Sequence, residues 1–313
     1  VIDFRYHVVS LVAVLLALAT GILVGSSLLN QPLIESLNAT TDSLAREKED
    51  LRRQLTASRN QVVYRDSYAA SVAGMIVGQR LAGQRVVLVT LPGASGRDVD
   101  ALGETLRQAG GTVSGVLAVE PTYFDQAKAP VLDDIVNRLG LPGVQVAGDS
   151  ATGRAATHLA RALLADGTTG EMDAPAAALV AGFDDAGFVR PARGLQRGEL
   201  AVLVSGPPEA TGGEAQTRVN SEVVVLARAL DAAGAGVVLA GPELAAQDGG
   251  ALAALRSDRD GSDEVSTVES VSSPFGRIAA VFALVEQAGG KAGQYGSTGG
   301  ADRPLPEIAG GAR

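Results

Sequence analysis

From Val8 to Leu29 the chain reads VVSLVAVLLALATGILVGSSLL, 22 residues without a charge. As a helix rising 1.5 Å per residue, this run is about 33 Å long, enough to cross a hydrocarbon layer of about 30 Å. Its only polar side chains are hydroxyls, which can bond back to the helix's own carbonyls. The expectation is therefore a membrane-spanning helix over residues 8–29. Ala17-Leu18-Ala19 has the form of a signal-peptidase site. The apolar run nevertheless continues ten residues past Ala19, and the residues before it hold one Arg and one Asp instead of a basic cluster. An uncleaved anchor is expected. Arg5 precedes the span and residues 30–45 contain no Lys or Arg. The positive-inside rule then puts residues 1–7 in the cytoplasm and the rest of the chain beyond the cell membrane. Phe4, Arg5 and Tyr6 are expected either at headgroup level or against a membrane partner. Ser10, Ala13, Ala17, Gly21 and Gly25 fall three or four apart, and Gly21 and Gly25 form the G-x-x-x-G pattern that lets two helices approach closely.

Asn30 and Pro32 predict a fresh helix start, opening a stalk over residues 30–82. Leu37, Leu44 and Leu51 recur every seven residues, and Ile34, Leu55, Val62 and Ile76 fall on the complementary seam. Thr41, Lys48, Ser58 and Arg65 interrupt this imperfect heptad, and REKEDLRR (46–53) supplies mixed charge for an exposed face. A helix from Leu33 to Arg80 would extend about 72 Å. With one apolar stripe it needs a partner, either a second copy in a parallel coiled-coil homodimer or the domain that follows. The homodimer is the expectation, with Leu37, Leu44, Leu51 and Leu55 at its seam.

Residues 83–288 change pattern. VVLVTL (86–91), TVSGVLAV (112–119), LAVLVSG (200–206), GVVLAG (236–241) and 264–269 read as strands. Helices are expected at 99–108, 130–139, 151–165, 216–233 and 276–287. The alternation predicts an α/β fold, a mainly parallel Rossmann-like sheet with helices on both faces. The stretch 166–199 carries no clear pattern. The loop at 207–215 and the polar, Gly-rich tail from 289 to 313 are expected to be disordered.

Ligands of such sheets sit beyond the strand C-termini, so 92–96, 206–213 and 241–247 are the places to look for a small-ligand site. None carries a G-x-G-x-x-G or G-x-x-x-x-G-K-[ST] fingerprint, and Ser95 lies in G-A-S-G, not in a nucleophile elbow. His158 is the only histidine beyond His7 and sits mid-helix. Asp98, Asp133, Asp134, Asp184 and Asp185 occupy expected helix starts or loops, where carboxylates cap helices. No enzyme and no cofactor are expected. The net charge of −9 argues against nucleic acid, and the absence of Cys excludes disulfides and thiolate metal sites.

The opening IDFRYHVVSLVAVLLALATGILVGS (2–26) and the segment VESVSSPFGRIAAVFALVEQAGGKAGQYG (268–296) resemble the two ends of the actinobacterial copper-transporter family typified by MctB. The resemblance spans nearly the whole chain. It implies copper efflux or channel formation across the envelope, or partnership with a membrane-associated envelope or division protein. The residues add no copper site of their own. Cu(I) prefers thiolate, thioether and imidazole, and the chain has no Cys, two Met (Met75, Met172) and two His, without ligand spacing.

Overall fold

The computed structural model describes residues 4–144, 150–165, 170–209 and 213–307, with the side chains of 26–36 and 38 excepted. Residues 1–3 and 308–313 of the expected termini, 210–212 of the expected loop and the Ile34 side chain thus lie outside the described residues. The chain divides into two compact units, 1–65 and 66–313.

Helix α1 runs unbroken over Phe4–Val77, 74 residues. The helix start expected at Asn30 and Pro32 is therefore corrected: a single proline removes one backbone hydrogen bond, whereas the helical residues on both sides keep theirs. In the first unit the side chains of Val8 to Val24 are exposed, as are Leu37, Leu44, Leu51 and Leu55. In the second unit, Ala69, Ala73 and Val77 are buried one helical turn apart, and Ala73 and Val77 join the domain core. The helix ends before Arg80, the limit expected from the sequence. Gln79 takes a left-handed φ of 60°, and the Leu81 N–H then donates to the Ala109 carbonyl at 2.8 Å.

The second unit is built on a seven-stranded sheet of order β3-β2-β1-β4-β5-β6-β7. Its strands are β1 (Arg85–Thr90), β2 (Thr112–Val119), β3 (Val189–Pro191), β4 (Leu200–Val204), β5 (Gly236–Ala240), β6 (Ser266–Val268) and β7 (Gln294–Tyr295). All pairings are parallel except that of β2 with the edge strand β3. Alternate residues of each central strand face opposite sides, so the continuous apolar runs feed two cores. Val87, Val89, Ala201, Leu203, Val237 and Leu239 face α3 (Ala129–Leu139), α4 (Ala151–Leu163), α5 (Ala174–Asp185), α6 (Gly213–Asp231) and α7 (Ala251–Ser257). Val86, Leu88, Val202, Val204, Val238 and Ala240 face α2 (Gly96–Gln108), α9 (Pro274–Ala288) and the end of α1. A short α8 (Arg259–Glu264) follows α7. Burial on both faces is why these strands read as unbroken Val/Leu runs without polar alternation.

The tail expected to be disordered from Gly289 is corrected in part, because β7 adds to the sheet edge beside β6 and Tyr295 is buried. A buried ion pair holds it there. Arg256 and Glu269 meet at 2.7 Å with side chains 4% and 1% exposed. Arg256 also donates to Thr267 Oγ1 at 2.8 Å and to the Tyr295 carbonyl at 3.1 Å. Glu269 accepts from the N–H groups of Ser297 at 3.0 Å and Thr298 at 3.2 Å, and from the Thr298 hydroxyl. A buried charge persists only where its partner and its remaining hydrogen bonds are all supplied, and residues 295–298 supply four of the five beyond the pair itself. Gly-rich composition suggested disorder; long-range partners override it.

Candidate functional site

Two features of the structure bear on function: the uncovered length of α1 in the first unit, and the crevice at the C-terminal ends of β1 and β4.

Phe4–Gly25 is the one described helix long and apolar enough to cross a membrane, and none of its residues is buried. A core helix would be covered by neighbouring elements; this one is solvated along its whole circumference, as a lipid-facing helix must be. Nothing lies within 4 Å of where a side chain would start at Gly21 or Gly25, so both keep the open surface that close helix packing needs. Phe4, Arg5 and Tyr6 are exposed at its N-terminal end. Leu37, Leu44, Leu51 and Leu55 are 51–59% exposed, too much apolar surface in one row to be incidental.

The strand order reverses between β1 and β4, which is where a doubly wound sheet opens its ligand crevice. A cleft of about 220 Å3 lies there, lined by Leu91, Pro92, Phe124, Pro207, Glu209 and Asn220 among others. Several of its donors are already committed. The Leu91 N–H bonds the Val204 carbonyl at 2.9 Å, and the Ser205 N–H bonds the Ala240 carbonyl at 2.8 Å. Pro92, Pro207 and Pro208 have no N–H. Helix α2 is capped by the Ser95 hydroxyl and carries Asp98 in its first turn, while α6 carries Glu214 in its own. Asn220 donates to the Gly249 carbonyl at 2.8 Å and accepts from Gln216 at 2.9 Å. The floor is shut by backbone: a Cβ on Gly206 would lie 2.4 Å from the carbonyl of Gly93. Phosphate recognition needs convergent N–H groups at a helix N-terminus; the described lining of this cleft offers four proline rings and the Glu209 carboxylate. The loops were legible as the place to look. Phe124 and Asn220 were not, because neither belongs to a motif.

His158, on α4, is 6% exposed, and its Nδ1 accepts from the Leu141 N–H at 3.0 Å. Burial lowers its pKa below the usual 6.5. Below pH 6.5 the unfolded chain then takes up a proton that the folded chain refuses, so the contribution of His158 to stability falls with pH. His158→Gln, which can still accept from Leu141, is expected to lose less stability than the native chain between pH 7 and 5, measured by urea unfolding in detergent.

The family described as "Copper transport outer membrane protein, MctB" matches residues 1–306. Proteins named Copper transporter MctB from Mycobacterium tuberculosis (strain ATCC 25618 / H37Rv) and Mycobacterium leprae (strain TN) are each 31% identical, over 312 and 322 aligned residues. Each alignment covers 96% of this chain and 98% of the relative. The chain belongs to the MctB family. Its two motifs that resemble MctB have different physical content. Residues 2–26 are the exposed apolar helix. Residues 268–296 hold Glu269, Tyr295 and the tightly packed Gly276, which build the sheet edge and α9 and lie outside the switch-point cleft. Of the four side chains soft enough for copper, Met75 is 86% exposed, Met172 packs against the core, His7 is exposed and His158 is engaged with Leu141.

Proposed function

We propose that this MctB-family chain is a non-enzymatic cell-envelope protein with a single membrane pass. Residues 1–7 are cytoplasmic and the α/β domain lies beyond the membrane. The chain self-associates through its apolar helix and the stalk that continues it, and presents the domain to a protein partner in envelope or division complexes. The observation that carries this reading is the row of exposed apolar residues along α1, from the spanning segment through Leu37, Leu44, Leu51 and Leu55. Burying about half of each such Leu in a partner yields on the order of 1 kcal/mol apiece, enough for a stripe of four to hold two copies together once the anchor confines them to one plane.

Copper handling is the second reading, favoured by the names of the relatives. Among the described residues no three His, Cys, Asp or Glu side chains gather to hold a metal ion, so in this reading copper is held by an assembly or a partner. Amine crosslinking of the full chain in membranes is expected to yield a dimer. Leu44→Asp with Leu51→Asp should lower the dimer at least tenfold while the protein stays in the membrane fraction. A native chain that never crosslinks sinks the first reading, and stoichiometric tight copper binding by the purified chain would promote the second.

A further inference from the structure

We infer that two copies pair along α1 in parallel and in register, with Lys48 sharing one core layer and Glu47 of each copy paired with Arg52 of the other. This inference rests on the self-association proposed above and adds its register and the charge pair that fixes it. With Leu37, Leu44, Leu51 and Ser58 at position d of the heptad, Thr41, Lys48, Leu55 and Val62 fall at a, Glu47 at g and Arg52 and Arg59 at e. Asp42, Arg46, Glu49, Asp50 and Arg53 then fall at the outward positions b, c and f.

Three observations agree with this frame. First, the surface of α1 carries a shallow recess lined by Leu44, Glu47, Lys48, Leu51, Arg52 and Leu55. In a parallel pair the hole for an a residue is formed by the preceding d and g with the facing a and d, and the hole for a d residue by the facing a, d and e with the next a. Leu44, Glu47, Lys48 and Leu51 are the first of these; Lys48, Leu51, Arg52 and Leu55 are the second. The recess thus spans two consecutive holes, the positions that would receive Lys48 and Leu51 of another copy. Second, Glu47, Lys48 and Arg52 form no ion pair among the described residues, whereas Asp50 and Arg53, on the outward face, bond each other. Third, the charges select the direction. Parallel strands place g against e five residues on, which brings Glu47 to Arg52 twice, once from each copy. Antiparallel strands place e against e and g against g. Within residues 40–62 position e holds Ala45, Arg52 and Arg59, and g holds Thr40, Glu47, Gln54 and Gln61, so no antiparallel alignment of this stretch joins opposite charges.

Lys48 has a role in this arrangement. A lysine at a single a position weakens the seam but enforces a two-stranded state, because its stem can lie along the apolar surface while its ammonium reaches water and the g carboxylate of the other copy.

The chain has no native Cys, so single cysteines report register without background. In the full-length protein in membranes under mild oxidation, Leu44→Cys and Ser58→Cys, both at d, should each give a disulfide-linked dimer. Arg53→Cys, at f, should give at least tenfold less. Glu47→Arg alone and Arg52→Glu alone should each weaken association roughly tenfold, and the two together should restore it. An antiparallel pair can self-link at no more than one of the two d positions. If only one d variant links, or if the double charge exchange fails to rescue while amine crosslinking still yields a dimer, register and direction are overturned and self-association survives. If no crosslinker yields a dimer, self-association itself falls.

Discussion

Arg256→Met is expected to cost about 3–5 kcal/mol of domain stability, because it leaves the Glu269 carboxylate buried without its counter-charge. The side chains of the pair are among the least exposed charged groups of the fold. Burial by itself would raise the Glu269 pKa, but the hydrogen bonds from Thr298, Arg256 and Ser297 hold it below its ordinary value. In the native chain this contribution is present above the ordinary carboxylate pKa of 4.5 and is lost as pH falls through the lowered folded value. The double variant Arg256→Met with Glu269→Gln should recover part of the loss, since a neutral amide still accepts from Ser297 and Thr298 without needing a cation. Urea unfolding of the full chain in detergent reads the stabilities. Limited proteolysis reads the local consequence, because Arg256 also binds the Tyr295 carbonyl and its loss should expose residues 291–303 to cleavage before the rest of the domain. Equal protection of that segment in Arg256→Met and native protein would show that the pair does not hold β7.

Gly276→Ala should be as damaging, although it adds one methyl group in the first turn of a helix. A Cβ there would lie 2.2 Å from the Ser270 carbonyl oxygen and 2.4 Å from its carbon, both backbone atoms. The loop cannot yield easily, since Ser270 already sits at a positive φ of 57° and the Arg277 guanidinium donates to the Val271 and Ser272 carbonyls. Either α9 withdraws, opening gaps beneath Ile278, Val281 and Leu284, or the loop does; we expect a loss of about 3 kcal/mol or more. Gly103→Ala is the control. It is also a helical glycine, but its Cβ would make an ordinary 3.7 Å contact with Leu88, and alanine's helix preference should then stabilise by up to about 1 kcal/mol. Thermal unfolding of the two variants should therefore move in opposite directions. Two shifts of the same sign would contradict the packing described for α9.

Much of the fold was legible. Strand β2 has the bounds its sequence suggested, and β1, β4 and β5 agree within a residue or two at each end, because their Val/Leu runs are local and bounded by glycine or proline. Helix α5 and the short α7 and α8 were not read. Neither were β3 and β7, since two or three residues of strand carry no period to recognise. Pro32 and the glycines after 289 misled in the same way, as local signals outweighed by their surroundings. At the candidate sites, the seven-residue leucine spacing was visible in the chain. The closure of the crevice by Gly93 and Gly206 was not, since they lie 113 residues apart in the numbering and meet only once β1 and β4 are neighbours.

By itself the sequence determined the apolar anchor, the stripe along α1 and the alternation of strand and helix, for each follows from the hydropathy and period of a contiguous stretch. Tertiary structure alone decided the order of the strands, the prolines and spent donors that line the switch point, and the capture of β7 by Arg256 and Glu269. These depend on which distant residues share an interior. There, a buried charge or an N–H group must be satisfied by whatever the fold brings beside it.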